Sequence, residues 1–351
     1  MEYGYTQQLW SPPRGRTLEE VRAFLQRMGL SYAQDIEYTA VVRDGSGAVA
    51  ATASLAGRVI KCVAVDPDAQ GAGLTATVVT ALRQKALEQG LRRLFLYTKP
   101  ENLEKFRGLG FYEVARAEKA LLMEDRRGGF DAWAEEVRSP DASGTIGAAV
   151  MNCNPMTLGH LYLIEEAAKR CGRLYLLIVS EDKSAVPAGD RRRIVEEAVA
   201  RLPNVSVAGT GQYLISSATF PDYFLKDKSR AGDVWTDLDI AVFCRLAEKL
   251  GITRRFVGSE PFCPVTAAYN RAMARTLPGW GVELMELPRL EREGRAVSAT
   301  AVRELICAGR WQEIRPLVPE ATWDYFADEG NRRRFLERAE IWELLQGEER
   351  K

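Results

Sequence analysis

From residue 146 onward, short apolar runs alternate with segments of helical period, and this alternation most restricts what the chain can fold into. Runs at 146–151, 174–179, 205–208, 255–257 and 283–287 are short and lie between turn residues, as strands do. Between them lie segments such as 161–171, 192–202 and 240–250, with apolar residues at helical spacing. Strands alternating with helices in this way predict a mainly parallel sheet covered by helices on both faces. Ligands of such sheets sit outside the carboxyl ends of the strands, where the strand order reverses.

The first part of the chain reads differently. Apolar runs at 38–42, 49–55 and 59–65 are separated by turn signals, Asp44-Gly45 and Ala56-Gly57, and predict consecutive antiparallel strands. A helix is expected over 74–88, with Val78, Val79, Leu82 and Ala86 on one face. A strand at 94–97, a short helix around 102–109 and a strand pair near 112–115 and 120–123 follow. Pro, Gly and Ser then gather in two stretches, 125–129 and 139–144, and mark a linker. The fold expected is α/β in two domains, an α+β domain over 1–138 and a Rossmann-like domain over 139–351.

Charge narrows the partners. The 48 Lys and Arg balance 48 Asp and Glu, and no long basic run occurs, which argues against nucleic acid or an anionic membrane. No apolar stretch is long enough to span a bilayer, and residues 1–16 lack the apolar core of a signal peptide, so a cytoplasmic protein is expected. The six cysteines, Cys62, Cys153, Cys171, Cys244, Cys263 and Cys307, form no CxxC pair. With one histidine in the chain no zinc-type cluster can be written, and no protein metal site is expected. Free thiols in a reducing compartment are the plain reading, and Cys153 reads as a small packing residue.

The strongest local signal is MNCNPMTLGH at 151–160. A buried strand ends at Met151, the loop carries Asn152, Asn154, Pro155 and Gly159, and a helix begins. Unpaired N–H groups and the positive end of the helix dipole make such a turn an anion site. Gly159 would let a phosphate approach the backbone, and His160 would aim its imidazole at it. The only histidine of 351 residues falls here. The pattern is similar to the (H/T)xGH signature of nucleotidyltransferases, with Thr157 in its first position.

A second element, VSATAVR at 297–303, precedes a helix with Val302, Leu305 and Ile306 on its apolar face. Ser298 is a natural N-cap, and Arg303 stands about one turn in. The segment resembles ISSTxxR, the second signature of the same superfamily, with Ala299 in place of the middle Ser. These residues suit attack on the α-phosphate of ATP with departure of pyrophosphate. His160 would stabilise the α- and β-phosphates, Ser298, Thr300 and Arg303 would hold the β/γ end, and Mg²⁺ would neutralise the leaving group. The fold alone leaves pantetheine-phosphate and nicotinamide-mononucleotide adenylyl transfer open.

Three further segments resemble the citrate lyase ligase family: ISSATFPDYFLK at 215–226, VGSEPFCPVTAAYN at 257–270, and SED at 180–182 followed by Asp190-Arg191. The resemblance covers nearly the whole chain. It implies a two-step reaction in which acetate and ATP give acetyl-adenylate and pyrophosphate. The acetyl group then passes to the prosthetic-group thiol of the acyl-carrier (gamma) subunit of citrate lyase. It further implies that Glu260 positions adenosine and that Lys183 or Lys226 contacts phosphates or the acceptor, against a reading of each as a solvated charge. Citrate lyase and citramalate lyase are not separated as partners.

The N-terminal half carries VAVDPDAQGAGL at 63–74 and FRGLGF at 106–111, which resemble the two blocks of the GNAT acetyltransferases. Gln70, Gly71 and Gly73 would offer backbone amides to a pyrophosphate, here that of the CoA-like prosthetic group. Thr75 departs from that pattern. A CoA-gripping domain and a purely structural one both remain open, as does an acetyltransferase with a nucleotide-sensing appendage.

Overall fold

The computed structural model describes residues 4–182, 184–214, 224, 231–260, 264–292 and 295–348. Lys183, Cys263 and, apart from Phe224, the whole 215–226 block with Lys226 lie outside the described residues. The chain divides into two compact units. One is Met1–Phe130 with Phe220–Ala241; the other is Asp131–Thr219 with Val242–Lys351.

In the first unit the elements run β1 (Thr6–Trp10), α1 (Gly15–Arg27), β2 (Tyr38–Arg43), β3 (Val49–Ala56), β4 (Val59–Val65), α2 (Leu74–Glu88), β5 (Phe95–Thr98), α3 (Leu103–Arg107), β6 (Tyr112–Arg116) and β7 (Leu121–Glu124). They form a seven-stranded sheet in the order β1-β2-β3-β4-β5-β7-β6. Strands β2 to β4 pair antiparallel, as the turn signals predict. At the first turn the Asp44 carboxylate accepts from the N–H groups of Ser46 and Ala48 at 2.9 and 3.0 Å, fixing the reversal. Only β4 and β5 run parallel, joined over α2, and their pairing is confined to Val59 and Ile60 against Phe95 and Leu96. Helix α2 buries Leu74, Val78, Val79, Leu82 and Ala86, and these join Ala51, Leu55, Ile60 and Leu96 in one core.

The second unit continues with α4 (Gly129–Val137), β8 (Ile146–Met151), α5 (Leu158–Ala168), β9 (Arg173–Ile178), α6 (Ala188–Val199) and β10 (Val205–Gly209). Helix α7 (Ala231–Leu250), counted with the first unit up to Ala241, precedes β11 (Arg254–Gly258), α8 (Pro264–Thr276) and β12 (Glu283–Leu287). A hairpin of β13 (Glu291–Arg292) and β14 (Arg295–Ala296) leads to α9 (Ala299–Cys307), α10 (Glu320–Ala327) and α11 (Glu329–Glu348). The sheet order is β10-β9-β8-β11-β12 and every pair is parallel. From β8 the chain steps outward to β9 and β10, then returns to the other side for β11 and β12. The order therefore reverses between β8 and β11, and the loop after β8 enters the crevice where such sheets bind ligands. Apolar side chains of β8, β9, α5 and α6 share a core with Val302 and Ile306 of α9 and with Tyr325 and Phe326 of α10.

Candidate active site

Loop and helix start at 152–160 are built by local hydrogen bonds. Thr157 is the N-cap of α5, and its hydroxyl accepts from the His160 N–H at 3.4 Å. The imidazole reaches back in turn, Nδ1 lying 3.0 Å from the Thr157 N–H and 2.9 Å from its hydroxyl. An amide N–H only donates, so Nδ1 is an acceptor and the neutral ring carries its proton on Nε2. Burial, with the nearby Arg289 and Arg303 guanidinium groups adding to it, lowers the imidazole to about 4. At neutral pH the ring is an uncharged donor at Nε2 with its tautomer fixed by the helix cap.

Gly159 has a packing task beside the one the motif suggests. A Cβ there would lie 2.6 Å from the Val297 carbonyl oxygen, so the missing side chain lets α5 approach the residue just before Ser298. The two helix starts are thereby brought side by side. Ser298 caps α9, its hydroxyl accepting from the Ala301 N–H at 3.2 Å.

A cavity of about 960 Å³ opens at this point, within the size range of small-molecule sites. Asn152, Thr157, Gly159, His160, Glu260, Ser298 and Thr300 line it. Asn154, Pro155 and Arg303 are not among its lining residues. The buried Asn154 accepts from the Val186 N–H at 2.9 Å through its side chain, and the Asn154–Pro155 bond is cis. Arg303 donates to the Asn154 carbonyl at 2.8 Å and to the Thr300 hydroxyl at 3.0 Å, tying the first motif to the second. No group of three or more His, Cys, Asp or Glu that could hold a metal occurs among the described residues.

Two arginines received no role from the sequence: Arg191, named there only within the Asp190-Arg191 pair of the family resemblance, and Arg289, which was not singled out. Arg191 is fully buried, and its guanidinium donates to the carbonyls of Asn152, Val179, Glu181 and Val186 and to the Asn152 side chain. It stitches the loops after β8 and β9 to the start of α6, and burial lowers its pKa. Nothing in the run Asp190-Arg-Arg-Arg193 distinguishes it from its exposed neighbours except the helical period, which puts it three residues before Ile194. Arg289 lines the cavity and pairs with Glu260. Ser180, Glu181 and Asp182 act as braces: the Asp182 carboxylate accepts from the Ala188 N–H at 2.9 Å and from Arg338 at 2.8 Å.

In the first unit, Gly71 and Gly73 take the left-handed backbone at φ 89° and 71°, and Gly73 leads directly into α2. A separate cavity of about 270 Å³ opens where β4 and β5 part, lined by residues including Val63, Val65, Thr98, Lys105 and Phe224. Gln70, Gly71 and Gly73 are not among its lining residues.

Comparison with known proteins agrees with the two halves. The citrate lyase ligase C-terminal domain matches residues 146–326, and the acetyltransferase (GNAT) family matches residues 7–113. A citrate (pro-3S)-lyase ligase of Klebsiella pneumoniae is 40% identical over 314 residues, covering 88% of this chain and 92% of that protein. Its counterpart from Escherichia coli K12 is 38% identical over 319 residues, covering 88% and 90%. Among solved structures, TmcAL of Thermotoga maritima bound with alpha-thio ATP is similar at 16% identity and a TM-score of 0.34, covering 54% of this chain and 57% of that one. With its C-terminal domain matched over 146–326 and its relatives aligned over 88% of its length, the chain belongs to the citrate lyase ligase family.

Proposed function

We propose that this protein activates acetate with ATP and delivers the acetyl group to the prosthetic-group thiol of the citrate lyase acyl-carrier subunit, in the cytoplasm. The observation that carries the adenylation step is the neutral imidazole of His160, fixed as an Nε2 donor on a cavity that two helix starts share. An acetate oxygen attacks the α-phosphorus of MgATP, and the bond from that phosphorus to the bridging oxygen breaks, its electron pair leaving with pyrophosphate. Nε2–H donates to a phosphate oxygen as charge grows there, while the N–H groups at the starts of α5 and α9 face the polyphosphate. Magnesium, when bound with ATP, offsets the charge of the departing pyrophosphate.

In the second step the carrier thiolate attacks the acetyl carbon, and AMP leaves with the electron pair of the anhydride bond. Two observations support direct transfer. Cys153 is buried, and burial pushes its thiol up to about 12, so it is not a thiolate at neutral pH. The lone imidazole is committed to Thr157. The first 138 residues then serve to receive the CoA-like group through Gln70, Gly71 and Gly73. Among the described residues no helix is long and apolar enough to cross a membrane.

The test is ATP–pyrophosphate exchange with acetate, pantetheine phosphate or nicotinamide mononucleotide as the acceptor, followed by labelled acetate transfer to the carrier. Exchange that requires acetate supports the reading. Exchange supported only by one of the other two would replace it with an ordinary adenylyltransferase.

A further inference from the structure

The cavity needs positive charge for the triphosphate, and the motif arginine does not line it. Arg303 is turned to the Asn154 carbonyl and the Thr300 hydroxyl. Among the described lining residues the arginines are Arg255 and Arg289. Arg255 is buried at the sheet, its guanidinium 4.2 Å from the centre of the Phe243 ring. Arg289 is different. Its Nε donates to the Ser259 carbonyl at 2.8 Å, and its Nη2 donates to the Glu260 carboxylate. Its Nη1 makes no hydrogen bond among the described residues. The Glu260 side chain is 8% exposed and that of Arg289 is 30%, so the anion is covered while the cation is partly open.

We infer that Arg289 is the cation that meets the α-phosphate of ATP in this cavity, with Glu260 as the counter-ion that holds it in place beforehand. The inference rests on the adenylation reading given above. A guanidinium fixed at Nε and Nη2 keeps the rest of its planar fork for an incoming oxyanion, and needs little reorganisation when charge develops there. Glu260 limits the cost of keeping a cation in a half-covered site without substrate. The low imidazole value of His160 is consistent with this placement, since Arg289 precedes Arg303 among the charges that depress it. Arg289 and His160 would then approach the same phosphate as a charged and an uncharged donor. In the step itself Arg289 exchanges no proton: the acetate oxygen bonds to phosphorus, pyrophosphate leaves, and the guanidinium offsets the added oxyanion charge. Glu260 acts through Arg289 and is a positioning residue.

Three measurements on the full chain test this: calorimetric MgATP binding, acetate-dependent pyrophosphate exchange, and the proton NMR titration of the single histidine. Arg289→Gln is expected to weaken MgATP at least tenfold, lower exchange kcat about a hundredfold, and raise the His160 midpoint. Arg289→Lys, which keeps charge but not the fork, should recover part of the kcat. Glu260→Gln, with its guanidinium less firmly held, should raise the ATP KM more than it lowers kcat. Exchange kcat within about threefold of wild type in Arg289→Gln would overturn the assignment. If that variant does not fold, Arg289→Lys decides: an unaltered kcat refutes the role, and at least a tenfold loss at unchanged Tm upholds it. Should the wild type show no acetate-dependent exchange, the ligase reading fails, while MgATP affinity and the His160 midpoint still decide the place of Arg289.

Discussion

At His160 the task in the fold and the proposed task in the reaction meet in one side chain. Its Nδ1 completes the cap of α5, and that bond leaves the proton on Nε2. His160→Asn is expected to lower acetate-dependent exchange at least about a hundredfold, the usual loss of one transition-state donor, with MgATP affinity reduced far less. Near-normal pyrophosphate release would remove His160 from the chemistry. The imidazole also sets a pH signature. Its value is about 4 in the folded chain against 6.5 for the ordinary group, so between these pH values the unfolded chain binds the extra proton. Its contribution to stability is thus complete above about pH 6.5 and is lost as pH falls toward 4. Thermal melts of wild type and His160→Asn should therefore differ in slope across that window and run parallel above it. The neighbouring Cys153 makes the opposite case, a thiol inside the motif that is buried and pushed up to about 12. Cys153→Ala should transfer acetate to the carrier within about threefold of wild type, and no hydroxylamine-sensitive label should collect on the ligase. A labelled thioester at Cys153 would instead establish a relay.

Elements, more than single residues, divide what the sequence made legible from what it hid. Helix α2 and strands β4, β8 and β12 match their expected bounds because each has an unbroken apolar period between turn residues. Helix α7 starts at Ala231, well before the expected 240, because its first half includes Asp233, Asp237 and Asp239 among its apolar residues. The two signatures were legible as motifs, but their contact was not, since nothing local says that Gly159 meets a carbonyl at Val297. Likewise, Arg303 has the spacing of a phosphate ligand, and only the fold shows its guanidinium on Asn154 and Thr300. Gly159→Ala tests the junction. Its Cβ would force α5 and the start of α9 apart, at a cost of about 1–3 kcal/mol for overpacking. Exchange activity is expected to fall more steeply than stability, because both helix starts line one cavity. A variant with wild-type Tm and kcat would show that the junction yields without consequence.

At the scale of the whole molecule, the two units are not consecutive stretches of sequence. Phe220–Ala241 is counted with the first unit although β8, β9 and β10 of the second precede it. No composition shift marks this return, and the Pro-, Gly- and Ser-rich stretch at 139–144 is the stronger local sign of a boundary. A fragment starting at Ser139 would therefore retain Phe224, Val234, Leu238 and Ile240, which are at most 4% exposed in the full chain, without the rest of their unit. Large apolar side chains are each worth about 1.5–3 kcal/mol when buried, so the fragment is expected to self-associate. The residues lining the cavity beside His160 all belong to the second unit, so on the proposed function the defect is expected to be one of solubility and not of chemistry. Phe224→Ser, Val234→Ser and Leu238→Glu introduced together should restore a monomer on size-exclusion chromatography. That fragment should also carry out acetate-dependent pyrophosphate exchange within about tenfold of the full chain, while acetylating the carrier poorly. A monomeric unsubstituted fragment would show that these four side chains do not need the first unit to cover them. Loss of exchange from a monomeric, folded fragment would make the first unit part of the adenylation machinery itself.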